Sequence, residues 1–160
     1  MAVDEHDRVH LRHAVALARE AVDAGDEPFG SVLVGPDGSV LQTARNEAVS
    51  RNATMHPELT LAQWAGDHLD ATTRAASTVY TSGEHCPMCS AAHAWVGLGR
   101  IVYASSGAQT AAWVAELGGG RSPVAALSIT DVAPAIPTDG PDEELADEVH
   151  GLHRRFRNAP

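Results

Sequence analysis

The chain has 160 residues, 44% of them apolar, which is enough for one hydrophobic core, and we expect a single domain over 1–160. The formal net charge of −10 repels phosphate backbones, and all eleven basic residues are arginines, so nucleic acid is a disfavoured partner and lysine chemistry is excluded. No apolar run reaches the roughly 18 to 20 residues of a membrane span, so we expect a cytoplasmic protein with no membrane partner.

Hydrophobic spacing and turn-forming residues predict alternating helices and strands. In chain order they predict a helix over 4–24, a hairpin over about 31–44, a helix over 57–68, a strand over 77–82, a helix over 86–96, a strand over 100–104, a short helix over 108–117, a strand over 124–129 and a helix over 142–157. A hairpin followed by this alternation favours a three-layer α/β/α domain with a mixed central sheet of about five strands. Strand order does not follow from these patterns.

The two cysteines form a metal-binding pattern at the start of a predicted helix. Cys86 and Cys89 are one helical turn apart, so both sulfurs face the same way and can hold one ion at about 2.3 Å. The partial positive charge of the helix N-terminus favours their thiolate forms. Because the chain contains no further cysteine, a structural zinc site of four thiolates is excluded.

A histidine and a carboxylate at the start of the preceding helix complete a catalytic zinc pattern. With His56 as the third ligand, Cys86 and Cys89 would leave the fourth position of a Zn²⁺ ion to water. Glu58 follows two residues after His56, where its carboxylate can move protons without binding the metal. The sequence therefore matches H-x-E followed by C-x-x-C, the pattern of zinc deaminases, and we predict Glu58 as the catalytic residue.

On these residues the chain resembles the cytidine deaminase-like superfamily, and within it the guanine deaminase and tRNA adenosine deaminase branch. The segments Pro28-Phe29-Gly30 and Thr81-Ser82-Gly83-Glu84 agree in order and spacing. The resemblance implies hydrolytic removal of an exocyclic amine from a free nucleobase or an analogue ring such as guanine, cytosine or a triazine, with release of ammonia. It also implies substrate contacts from Asn46, from Trp95 as an aromatic lining, from the backbone N–H of Glu84 and from side chains near Phe29.

The chain departs from the family pattern at two positions. Pro57 stands where the family usually has alanine, and His85 stands where it usually has proline before the first cysteine. Neither departure removes a candidate ligand. We expect His85 to reach into the substrate pocket and to change which rings are accepted.

Two other functions agree with parts of the pattern. A tRNA adenosine deaminase would use the same motifs, but the negative charge and the absence of lysine disfavour it. A redox or zinc-sensor module would use the C-x-x-C pair without turnover.

The C-terminal helix predicts an additional role in assembly. After a proline-rich connection, apolar residues recur at helical spacing at Leu145, Val149, Leu152 and Phe156. Such a stripe must be buried, and we expect a homodimer in which the helix over about 142–157 is a lid or a swapped arm over its own pocket or its neighbour's.

Overall fold

The computed structural model describes residues 2–160. Its elements are α1 (Glu5–Asp23), β1 (Gly30–Val34), β2 (Val40–Arg45), α2 (Pro57–His68), α3 (Ala71–Ala76), β3 (Thr78–Gly83), α4 (Pro87–Val96), β4 (Ile101–Ser105), α5 (Gly107–Glu116), α6 (Ile129–Val132), β5 (Thr138–Asp139) and α7 (Glu143–Arg157). Across this described part, no helix has the length and apolar character needed to cross a bilayer.

The five strands form one mixed sheet in the order β2-β1-β3-β4-β5. The pairings of β1 with β2 and with β3 are antiparallel, whereas β3, β4 and β5 are parallel. Helices α1 and α7 pack on one face and α2 packs on the other, against α4. The predicted three-layer α/β/α architecture is therefore confirmed.

Strand register brings two hydroxyl side chains together on the face of the sheet that α2 covers, at one end of that face. Leu33 and Val79 point from β1 and β3 into the apolar cluster beneath α2. Side chains two residues apart on a strand share a face, so Ser31 and Thr81 point the same way. The register pairs Ser31 with Thr81, and both are fully buried. Two polar groups therefore end an otherwise apolar surface.

Most predicted elements are confirmed within a few residues, but the strand predicted over 124–129 is wrong. Residues 124–128 form no strand, and Ser128 caps the short helix α6. The fifth strand is β5, inside the proline-rich connection, where Thr138 pairs with Ile101 of β4. Residues 124–129 have no neighbouring strand to pair with, and a strand without a partner is not stable. The helix α3 is an element that the sequence patterns did not predict.

The apolar stripe of α7 is buried within its own chain. Leu145, Val149 and Leu152 belong to the core cluster that also contains residues of α1. Phe156 is half-buried. The stripe thus already has a burial site in the chain, while the role of this helix as a lid or swapped arm stays a prediction.

Candidate metal and catalytic site

The candidate ligands lie where two helices begin. His56 is the N-cap of α2 and Cys86 is the N-cap of α4, and neither side chain caps its own helix. Pro57 and Pro87 follow them at the first helical positions, which proline suits because it needs no hydrogen-bond acceptor there. Cys89 lies one turn into α4. Since α2 packs against α4, both positive helix ends approach the same point.

The three side chains form a cluster with zinc-like spacing. The His56 Nδ1 atom lies 3.5 Å from the Cys86 Sγ atom and 3.7 Å from the Cys89 Sγ atom. Tetrahedral zinc with these donors separates its ligand atoms by about 3.6 Å. Within residues 2–160, no other group of three potential ligands comes within 4.8 Å. One imidazole and two sulfurs at these distances fit a zinc ion.

Without an ion, the cluster pairs a thiolate with an imidazolium, and a zinc ion would replace the imidazolium proton. Hydrogen bonds from Cys89 and His56 together lower the pKa of the Cys86 thiol to about 4, against the effect of burial. The hydrogen bond to Cys86 raises the pKa of His56 to about 9, against the effect of burial. Sharing one proton with Cys86 raises the pKa of Cys89. One thiolate therefore exists at neutral pH even without an ion.

Glu58 is a buried carboxyl beside this cluster. It is the second residue of α2 and is 5% exposed. Thr81 Oγ1 donates a hydrogen bond of 3.2 Å to its Oε1. Burial raises the pKa of Glu58 to about 7, although the charge of His56 opposes the rise. A carboxyl with a pKa near neutrality can both take up and release a proton, as acid-base catalysis requires.

Asn46 carries a buried donor that has no protein partner. Its Oδ1 accepts the Ala48 N–H at 2.8 Å, which fixes the amide, while its Nδ2 is buried and unpaired within the described chain. Asp26 holds the same loop by accepting the N–H groups of Val49 and Ser50. This loop ends at His56. The geometry agrees with the predicted substrate contact from Asn46, which remains untested.

The Phe29 ring lies against the end of β3, at Gly83. A Cβ atom on Gly83 would come within 2.9 Å of its ring, so glycine is required for this approach. The other side of the ring meets His153 of α7 edge-on, with centroids 5.4 Å apart. Phe29 thus lies between the end of β3 and α7, and its contact with a substrate stays a prediction.

The predicted contact through the backbone of Glu84 is wrong. That N–H donates to the Ser105 carbonyl at 2.8 Å, so it is not free to bind a ligand. The carboxylate instead accepts the N–H groups of Gly107 at 2.7 Å and Ile129 at 3.1 Å. Glu84 therefore joins the starts of α5 and α6 to the end of β3.

His85 and Trp95 lie in very different surroundings. His85 is 2% exposed and its ring packs edge-on against His93, with centroids 5.3 Å apart. The protein gives neither of its ring nitrogens a partner among the described residues. Trp95, near the end of α4, is 86% exposed, so its own chain does not enclose it. Substrate contacts from either residue stay predictions.

Ser31 and Thr81 are site residues that the sequence patterns did not single out. Ser31 is the one hydroxyl side chain in the buried strand β1, which is a usable signal, whereas Thr81 is one of three Ser and Thr residues in β3 and does not stand out. Only the fold brings the two together beside Glu58.

Comparison with known proteins agrees with the geometry. Residues 4–105 match the model of the cytidine and deoxycytidylate deaminase zinc-binding region. The chain is 33% identical over 106 residues to a probable cytosine deaminase of Schizosaccharomyces pombe, covering 65% of this chain and 63% of that protein. It is 38% identical over 97 residues to the guanine deaminase of Bacillus subtilis, covering 59% and 62%. A tRNA-specific adenosine deaminase of the same organism is 26% identical over 98 residues, covering 61% and 60%.

These matches are partial in length, whereas the structural match is nearly complete. The chain spans about three fifths of the length of these relatives. The crystal structure of guanine deaminase from Nitrosomonas europaea superposes with a TM-score of 0.72 over 99% of this chain and 87% of that one, at 23% identity. The fold is therefore shared over almost the whole chain, beyond the last residue of the family match.

Proposed function

The chain belongs to the family of the cytidine and deoxycytidylate deaminase zinc-binding region, and from this membership we propose that it is a zinc-dependent hydrolytic deaminase of free nucleobases or related amino-substituted rings. The observation that carries the proposal is the cluster of His56, Cys86 and Cys89 with the buried carboxyl of Glu58 beside it. The reaction replaces a ring C–NH₂ group by C=O, consuming water and releasing ammonia.

The cluster and the neighbouring Glu58 carboxyl have separate roles in the proposed reaction. His56 Nδ1 and the two sulfurs would hold one zinc ion, which when bound supplies an activated water molecule. The Glu58 carboxyl would accept the protons of the water one at a time and pass one to the ring nitrogen beside the new carbonyl and the other to the departing amine, so the carboxyl ends the cycle as it began. Its burial keeps the proton from exchanging freely with solvent.

Recognition of a small ring is supported by Asn46 and Phe29. The unpaired Asn46 Nδ2 can donate to an acceptor on the ring edge, and leaving a buried donor unpaired would cost about 1 to 3 kcal/mol. The Phe29 ring lies against the end of β3, the strand that carries Thr81, and would offer an apolar surface to a substrate ring. The guanine deaminase and cytosine deaminase relatives support bases of this size as substrates.

Charge favours a free ring over tRNA. A tRNA substrate brings phosphates that several basic side chains must neutralise, and binding then weakens steeply with salt. This chain has a formal charge of −10 and no lysine. A neutral base brings no phosphate, so we expect turnover to be nearly independent of salt.

The test is an ammonia-release assay with zinc-loaded protein on guanine, cytosine, a triamino-triazine, their nucleosides where these exist, and tRNA. Each substrate is measured at low and moderate salt, with the Glu58→Gln variant as the control for protein-dependent turnover. We expect deamination of at least one free base, about one zinc ion per chain, and little salt dependence. Preference for tRNA with activity that collapses as salt rises would favour the tRNA deaminase instead. A reversible disulfide with no ammonia release would favour the redox or sensor module.

A further inference from the structure

A buried chain of two hydroxyls ends at the candidate proton carrier. Ser31 Oγ donates to Thr81 Oγ1 at 2.8 Å, and Thr81 Oγ1 lies 3.2 Å from Glu58 Oε1. Thr81 Oγ1 also lies 3.0 Å from the carbonyl oxygen of Gly83. Ser31 and Thr81 are both fully buried, so water does not compete for these contacts. Within residues 2–160, Thr81 supplies the one side-chain hydrogen bond to the Glu58 carboxyl.

The number of protons on Thr81 limits what its hydroxyl can do. A hydroxyl has one proton and two lone pairs, and Ser31 occupies one lone pair. The single Thr81 proton can go to Glu58 Oε1 or to a backbone carbonyl, that of Gly83 at 3.0 Å or that of Gly30 at 3.4 Å, but to only one of them at a time. The hydroxyl therefore has two kinds of satisfied arrangement around a fixed oxygen atom, one directed at Glu58 and one directed at the backbone.

The two arrangements match the two forms that Glu58 takes during turnover. When the carboxylate is ionised, Thr81 donates its proton to Oε1. When Glu58 carries the proton, its own O–H can donate to the second lone pair of Thr81 Oγ1, and Thr81 turns its proton to Gly83. In both forms Glu58 keeps a partner and the same position, with only one hydroxyl proton rotating.

We propose that Thr81 is a positioning residue that keeps the Glu58 carboxyl hydrogen-bonded and correctly oriented both before and after it takes a proton, with Ser31 holding the Thr81 oxygen in place. This inference rests on the proposed deaminase function. Residues that orient a group at a metal site in this way typically contribute about 10- to 100-fold to activity.

The test compares Thr81→Val, which keeps the shape but removes the hydroxyl, with Thr81→Ser, which keeps the hydroxyl. The control is Ser105→Ala, which removes another fully buried hydroxyl that donates to the Ser82 carbonyl and does not touch Glu58. For each zinc-loaded protein, kcat and KM are measured on the base that the wild-type protein deaminates fastest, together with zinc content and melting temperature. Crystal structures of the zinc-loaded wild type, the valine variant and the serine variant locate the Glu58 carboxyl.

We expect kcat of Thr81→Val to fall by about 10- to 100-fold while KM and zinc content stay within about twofold of wild type. Thr81→Ser should recover most of kcat, and Ser105→Ala should keep it. Wild-type kcat in the valine variant, failure of serine to restore kcat, or a loss of kcat that follows a loss of zinc would overturn the proposal. If the wild-type protein deaminates no base, the proposed function fails. The crystal structures then decide the inference separately, because an unmoved Glu58 carboxyl in Thr81→Val would refute it.

Discussion

Replacing His153 by phenylalanine should make the unfolding free energy of the protein fall less at low pH. The side chain is 2% exposed and lies against Phe29 and Trp113, with ring centroids 5.4 Å and 5.7 Å away. Its Nε2 atom is buried and has no partner in the described chain. Burial, with smaller electrostatic contributions from Arg157 and His150, lowers the pKa of His153 to about 4. The folded protein therefore holds this ring neutral.

The magnitude follows from proton linkage. An unfolded histidine has a pKa of about 6.5, so below that pH the unfolded chain binds a proton that the folded chain refuses. The free energy of unfolding therefore falls as pH falls from about 6.5 to about 4, and each pKa unit is worth about 1.4 kcal/mol. The lowered pKa of His153 predicts a loss of about 3 kcal/mol over this window. Carboxylates such as Asp7, whose pKa is lowered by Arg100, lose their contribution only below about pH 4.

The assay is urea unfolding at several pH values between 4.5 and 7.5, at a fixed zinc concentration, for the wild type and for His153→Phe. Phenylalanine keeps the aromatic contacts but cannot bind a proton. The difference in unfolding free energy between the two proteins should change by about 3 kcal/mol across the window, because the other buried histidines cancel. Parallel pH profiles of the wild type and His153→Phe would refute the argument.

Three further results are expected. Glu58→Gln should keep about one zinc ion per chain, measured by elemental analysis, but lose at least about 100-fold in kcat, because the amide cannot accept a proton. Cys86→Ala should lose zinc and all turnover, and full zinc occupancy in this variant would remove Cys86 from the ligands. Asp26→Asn should lower the unfolding free energy by about 1 to 3 kcal/mol, since the new NH₂ group cannot replace Oδ2, which accepts from Ser50 Oγ and faces Arg45, whereas Asp37→Asn in an exposed turn should change it little.

The sequence predicted the parts of this fold that local chemistry determines. Proline at the first helical position placed the start of α2 at Pro57, and Gly97 ended α4 in the left-handed conformation. The wrong strand over 124–129 and the unpredicted β5 share one cause. Two residues form β5 because β4 offers them an edge, and no local signal reports that edge.

The candidate site also contains residues that local spacing predicts and residues whose roles depend on contacts made only in the folded chain. The spacing of His56, Cys86 and Cys89 sufficed to predict the cluster that the structure brings together. The role of Thr81 could not be predicted, because its contact with Glu58 depends on register between strands about 50 residues apart. Glu84 was misassigned since its N–H belongs to a ladder with β4 that only the folded sheet reveals.

The hydrogen bonds of the Glu84 carboxylate affect which substitutions this chain can tolerate. This carboxylate accepts hydrogen bonds from two backbone N–H groups, those of Gly107 and Ile129. Every residue except proline has such a group. A side chain on Gly107 would meet the carboxylate at 3.4 Å, an ordinary contact. The first residues of α5 and α6 can therefore change without loss of the hydrogen bonds that hold both helices to Glu84, just after the end of β3 and two residues before Cys86.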